Sequence, residues 1–155
     1  MKKFELVAEI SKEFFGRKLF RIRAMISFGN VQTGDLGGWV ESESNVEQSG
    51  NAWVSGDAKV YGNAQVSGDA WVYGNAHWIS IGPIGSENGF LTAFRQRDNS
   101  IMVRRGCFSG TIDEFESAVN DTHSDNQHGD IYRALILVIK LRLAEVEGEQ
   151  GGDHA

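Results

Sequence analysis

Between Gly50 and Ile79, polar and apolar positions repeat with a period of six: GNAWVS, GDAKVY, GNAQVS, GDAWVY and GNAHWI follow one another without a slip. Each unit opens on glycine, carries Asn or Asp second and Ala third, and places Val (finally Trp78) fifth. Successive side chains of an extended strand point to opposite faces, so the third and fifth residues point inward together. The inward pairs are Ala52/Val54, Ala58/Val60, Ala64/Val66 and Ala70/Val72. Gly followed by Asn or Asp suits corners that need left-handed backbone angles. Three units close one triangular coil, so the period predicts a β-solenoid in which residues 18 apart stack. Trp53 is then expected over Trp71, Val54 over Val72, Ser55 over Tyr73, Lys59 over His77, and Glu41 under Lys59. Residues 38–49 fit as two imperfect units with Val40 and Val46 at the alanine position, which extends the solenoid over 38–79. Little more than two coils result. Repeat architectures need about three or more units to bury a continuous core, so caps or association are expected. Trp53, Tyr61, Trp71 and Tyr73 are expected on the outside, as a contact surface.

The flanks read differently. Residues 1–37 predict a hairpin cap. Phe4, Leu6, Ala8 and Ile10 share one strand face, Gly16 marks the turn, and Phe20, Ile22, Ala24 and Ile26 alternate with Leu19, Arg21, Arg23 and Met25. Residues 80–145 predict an α+β segment. It opens on a turn-rich loop, Ser80–Ser86, holding the only proline. A hairpin of 89–97 and 101–107 follows, turning at Asp98-Asn99-Ser100. Thr111 and Glu114 stand at capping-box spacing before a helix to about Asn120. A second helix, from about Asp130 to Glu145, is apolar on nearly every side, a pattern of burial all round. In a chain of 155 residues that points to burial against another subunit. The tail from Val146 is polar and Gly-rich and is expected to be disordered. The fold class expected is mainly β: a short hexapeptide β-helix flanked by an N-terminal β-hairpin and by a C-terminal β-hairpin plus two α-helices.

A net charge of −6 argues against reading long nucleic acid through phosphate contacts. One cysteine excludes an internal disulfide framework and fits a reducing compartment. No signal-peptide pattern and no span long enough for a bilayer is seen, so a cytoplasmic protein is expected. Against that acidic background Arg95, Arg97, Arg104 and Arg105 cluster on one hairpin, with Phe90, Phe94 and Phe108 nearby and Tyr132-Arg133 at the start of the last helix. Guanidinium forks match phosphate geometry and aromatic rings stack on bases. The candidate ligand-binding residues are Arg21, Arg23, Phe90, Arg95, Arg104, Arg105, Phe108, Asn126, Tyr132 and Arg133. A solvated hairpin face is the plain alternative. For Arg21 and Arg23, a solvated strand face stands beside an anion-facing pair. No cofactor and no metal is expected: His123 and His128 lack a third ligand at supporting spacing, and Cys107 has no assigned base.

The repeats resemble those of left-handed β-helix acyltransferases, which implies left-handed coils. In that class a histidine acts at a trimer cleft, and His77, the only repeat histidine, occupies an ordinary outward position. The whole chain resembles small phage and prophage proteins with hexapeptide repeats, through FRIRAMISFGNV..GDLGGWVE, WISIGPIGSENGF and GCFSGTIDEFESAV..THSDNQHGDIYRA. The last segment is also similar to the anti-Thoeris sponge proteins of phages. That resemblance implies a non-enzymatic homo-oligomer (dimer, trimer or hexamer) in the infected host's cytoplasm. It would sequester a small nucleotide signal, of the cyclic ADP-ribose type or a cyclic oligonucleotide, with no long nucleic acid and no membrane as partner. A structural β-solenoid module of a phage protein and a hexapeptide-repeat acyltransferase are the alternatives.

Overall fold

A computed structural model describes residues 2–74, 77–85, 87–106, 108–123 and 126–144. Cys107 and the tail from Val146 lie outside the described residues. The fold is mainly β with two helices at the C-terminal end, divided into two compact units, Met1–Asn75 and Ala76–Ala155.

In the first unit, β1 (Phe4–Phe14) and β2 (Arg17–Ala24) form the expected hairpin, turning through Phe15 and Gly16, both at positive φ. β1 runs four residues further than its alternation suggested. Its register against β2 shifts between Leu6 and Ser11. That irregularity breaks the single apolar face read from the sequence: Phe4 and Val7 are buried, whereas Ala8 is exposed.

β2 pairs antiparallel with β3 (Leu36–Val40), and β3 pairs parallel with β5 (Lys59–Val60). The hairpin therefore covers the edge of the first coil by continuing its sheet, in the order β1-β2-β3-β5. β4 (Trp53–Val54) pairs parallel with β6 (Trp71–Val72), Trp53 opposite Trp71 and Val54 opposite Val72, as the six-residue period predicts. Ala52, Val54, Ala58, Val60, Ala64, Val66, Ala70 and Val72 are all buried.

The first coil departs from that spacing. Val40 lies opposite Val60 and Val46 opposite Val66, an offset of twenty residues. Val40 and Val46 thus take the valine position of the repeat, not the alanine position, and Glu41 does not lie under Lys59. Glu41 instead accepts from Arg17 at 2.8 Å and from the Gly62 amide at 2.8 Å. The two extra residues lie between Glu47, whose amide donates to Val66 O, and Asn51, whose amide donates to Gly68 O. They serve the cap. Gln48 Oε1 accepts from the Lys3 and Phe4 amides at 2.8 and 3.2 Å, and its Nε2 donates to Phe4 O at 3.2 Å.

Lys3 completes that junction. It is 1% exposed, and its ammonium donates to Ala52 O at 2.7 Å and to Ser49 O and Gly50 O at 3.4 Å, 4.9 Å from the Phe28 ring centre. A buried cation holding three carbonyls cannot be exchanged for an apolar chain of the same length without leaving those acceptors unpaired. Lys3→Met is expected to destabilise the first unit by about 2 kcal/mol. A urea-unfolding midpoint equal to that of the unaltered protein would contradict this.

The expected outer tryptophan ladder is half right. Trp71 is half-buried, but Trp53 is only 2% exposed, because the rings of Phe4 and Phe28 pack edge-on against it at 6.4 and 5.3 Å. The cap consumes this part of the surface.

In the second unit, β7 (Trp78–Ile84), β8 (Gly89–Arg95), β9 (Ile101–Arg105) and β10 (Phe108–Thr111) make an antiparallel meander in the order β10-β9-β8-β7. The segment read as a turn-rich loop is therefore mostly an edge strand. Its register against β8 shifts between Ile81 and Ile84, around Gly82-Pro83, where an edge position tolerates a residue with no amide proton. β8 and β9 form the expected hairpin about Asp98-Asn99-Ser100. There the Ser100 hydroxyl, then its amide, holds the Asp98 carboxyl below its ordinary range.

α1 (Ile112–His123) and α2 (Gln127–Ala144) follow. Thr111 and Glu114 close the capping box reciprocally, at 2.8 and 3.1 Å. Both helices pack on the face of the sheet that carries Leu91, Ala93 and Val103. From α1 come Ile112, Phe115 and Val119, and from α2 Tyr132, Ile136, Ile139 and Leu143. α2 is consequently buried on one side only. His77 is 1% exposed, so its expected outward position is not observed. No described helix is long and apolar enough to cross a membrane.

Candidate functional site

A strand alternates its side chains between the two faces of a sheet, and this divides the arginines of the hairpin. Arg105 lies opposite Leu91 and Phe108, on the face the helices cover. Arg104 lies opposite Thr92 and Ser109, on the other face. Phe90 shares that second face with Thr92, half in solvent against Gly82. Arg95 is on the helix face, but its guanidinium is committed. Its Nε and Nη2 donate to Leu143 O at 3.3 and 2.8 Å, and its Nη1 donates to Asn99 O. This is a cation satisfying the carbonyl end of a helix.

Around Arg105 the structure forms a cleft of about 350 Å³ lined by Glu87, Phe108, Phe115, Ala118, Val119, Thr122, His123 and Tyr132. That volume sits at the lower end of small-molecule clefts, roughly 300–1,000 Å³. The walls are aromatic. Phe115 lies 5.4 Å from Phe108 and 5.6 Å, at right angles, from Tyr132, and His123 stands 6.0 Å from the Tyr132 ring.

The polar end is built from both halves of the unit. Arg105 Nε donates to the Tyr132 hydroxyl oxygen at 3.1 Å and Nη2 to Ile84 O at 3.4 Å. The Arg105 side chain is 14% exposed, and Glu87, in solvent at the rim, approaches its Nη1 to 3.7 Å. Accepting from Arg105 leaves the Tyr132 proton for another partner, so a guanidinium edge and a phenol O–H converge on the same end of an aromatic slot. The arrangement fits a flat ring bearing an anionic group.

Backbone shape permits this. Gly85, at φ +78°, passes so close that an added Cβ would stand 2.1 Å from Tyr132 Oη and 2.7 Å from Arg105 Nη2. Only a residue without a side chain lets the β7–β8 turn close over the pair.

Of the ten residues expected at a site, Arg105, Phe108 and Tyr132 come together here. Asn126 and Arg133 stand beside the cleft in other roles. Asn126 Oδ1 accepts from the Gly129 amide at 2.9 Å, capping α2, and its Nδ2 lies 3.1 Å from His123 Nδ1. Arg133 ties α2 to Asn120 of α1 and pairs with Asp130 one turn earlier in α2, each at 2.9 Å. Arg21 and Arg23 belong to the first unit. Arg21 donates to Gly37 O at 2.9 Å with its guanidinium 5.5 Å from the Trp39 ring, and Arg23 pairs with Glu5.

Glu87, Gly85, Phe115, Thr122 and His123 were missed as site residues. Phe115, Val119 and Thr122 recur at helical spacing, which signals a face of α1 but does not separate core from cleft. The His123 and His128 rings pack edge-on, 5.6 Å apart. No cluster of three or more His, Cys, Asp or Glu suited to a metal is found among the described residues. Compared with known proteins, the chain matches no protein-family model and no curated protein.

Proposed function

We propose that the chain is a non-enzymatic, phage-type anti-defence protein that sequesters a small nucleotide-derived signal, of the cyclic ADP-ribose type or a cyclic oligonucleotide, as a homo-oligomer in the cytoplasm of the infected host. The observation that carries the reading is the Arg105–Tyr132 pair in the wall of an aromatic cleft. An adenine-sized ring can lie against the Phe108–Phe115 aromatic wall, and a phosphate oxygen fits the guanidinium edge and the phenol proton. A cleft of this size takes one nucleotide unit, so a larger cyclic oligonucleotide would span clefts of two copies. The coils of the first unit are read as left-handed, in keeping with the Gly-Asn/Asp-Ala-x-Val period and the resemblance of the repeats.

The test is capture and release. The protein is incubated with cyclic ADP-ribose isomers and cyclic oligonucleotides, separated from free ligand and heated. Recovery of an unchanged ligand is the expected result. Failure to retain any of them, or recovery of a converted product, refutes the reading.

A structural role for the solenoid is the second reading, favoured by the continuous parallel pairing of β3/β5 and β4/β6. It predicts a ligand-free assembly and normal performance of an Arg105→Ala variant in phage-defence assays. Acyl transfer has less support. His77 is buried, and a null titration with acetyl-CoA would remove that reading.

A further inference from the structure

The α2 helix shows two apolar stripes on opposite sides. Tyr132, Ile136, Ile139 and Leu143, spaced four, three and four residues apart, form the buried one. Ala134, Leu137, Val138 and Leu141 recur at the same helical spacing half a turn away and face solvent, Leu137 59% and Leu141 64% exposed, with Ile131 also exposed at the flank. An apolar row of this kind on a helix marks an interaction surface.

The helix is held firmly for such a role. Arg95 holds the Leu143 carbonyl in its last turn, Asn126 caps its first turn, and Lys140 reaches Glu116 of α1 at 4.0 Å.

We infer that this stripe is a two-fold interface on which α2 of a second copy packs antiparallel. The occupant follows from the stripe's own chemistry. A two-fold axis between Leu137 and Val138 sets the small Ala134 of one copy beneath the long Leu141 of the other, twice, so large meets small along the row. The same arrangement brings Asp130 of the first turn within one helical turn of Arg142 in the last turn of the facing helix. It also opposes the two helix dipoles, whereas a parallel pair would set like ends together. An isologous contact of this kind closes after two copies. The inference rests on the proposed homo-oligomer, whose interface it names, and not on the ligand.

Sedimentation velocity on the full chain over about 1–100 μM tests it. The unaltered protein is expected to be at least dimeric. Leu137→Glu combined with Leu141→Glu is expected to weaken association by about 100-fold or more while the near-ultraviolet dichroism stays unchanged, because both positions are exposed. A monomeric unaltered protein, or a double variant that associates as before, overturns the inference. Cross-linking separates the two orientations. Val138→Cys should link to itself, the linkage being assigned by mass spectrometry. Ile131→Cys should not, because antiparallel packing sets its two copies roughly 20 Å apart along the axis. Self-linkage at both positions means parallel packing and overturns the antiparallel arrangement.

Discussion

Replacing Arg105 with alanine is expected to weaken capture of a nucleotide-derived ligand by roughly 10- to 100-fold and to leave the fold of the second unit in place. Hydrogen bonds to a charged group are worth about 1.5–3 kcal/mol each, and tenfold in affinity corresponds to about 1.4 kcal/mol. Arg105 is the charged donor in the wall of the cleft, and its own bonds, to Tyr132 and Ile84 O, hold its head without using every N–H. Its strand neighbours, Leu91 and Phe108, are apolar and keep β9 in register when the head is removed. Two companions distinguish positioning from contact. Tyr132→Phe removes one neutral donor and should lose a smaller factor, about 3- to 10-fold. Gly85→Ala changes no ligand-facing group, yet its methyl would stand 2.1 Å from Tyr132 Oη and 2.7 Å from Arg105 Nη2, so binding should fall about as far as in Arg105→Ala. Calorimetric titration with the ligand recovered by heat release reads all three. Full affinity in Arg105→Ala would remove the cleft as the binding site.

Gly37→Ala is expected to destabilise the first unit by about 3 kcal/mol, the upper range for inserting a carbon into a packed interior. A Cβ there would stand 2.5 Å from Val54 O and 2.7 Å from both Ile22 Cγ1 and Trp53 Cζ2. Two of those partners are side chains of the cap and the first full coil, and the third is backbone, which cannot rotate away. Gly38 is placed the same way, with 2.7 Å to Ala58 O. The glycine pair lies in β3, the strand that joins the hairpin to β5 of the repeats, so the strain falls on that junction. Urea unfolding followed by tryptophan fluorescence reads this through Trp53, whose burial depends on that junction. An unchanged midpoint would show that the sheet can shift to admit the methyl.

How much was legible depended on whether the governing interactions were local. The Trp53/Trp71 and Val54/Val72 pairings follow from a six-residue period because each coil repeats the same corner and the same inward pair. The capping box at Thr111 and the turn at Asp98-Asn99-Ser100 follow from short-range hydrogen bonds. The shift of Val40 and Val46 was not legible. It depends on Gln48 turning out to bond the backbone at Lys3 and Phe4, more than forty residues away in the chain. Nor was the burial of Trp53, which needs the rings of Phe4 and Phe28 brought over it.

The same division runs through the cleft. Arginines and aromatics near one hairpin were visible as a cluster in sequence, but a cluster in sequence does not say which faces they occupy. Strand alternation and the β9 register sent Arg105 to the helix-covered face and Arg104 to the other, and the end of α2 claimed Arg95. Composition and period alone determined a mainly β chain with a repeat core and a two-helix end, because those features rest on local backbone preference and on spacing. Only the tertiary structure decided which arginine is held at the end of an aromatic slot. That depends on Tyr132 of one helix, Phe115 of another and the bare backbone of Gly85 arriving at one place, and no local rule encodes their meeting.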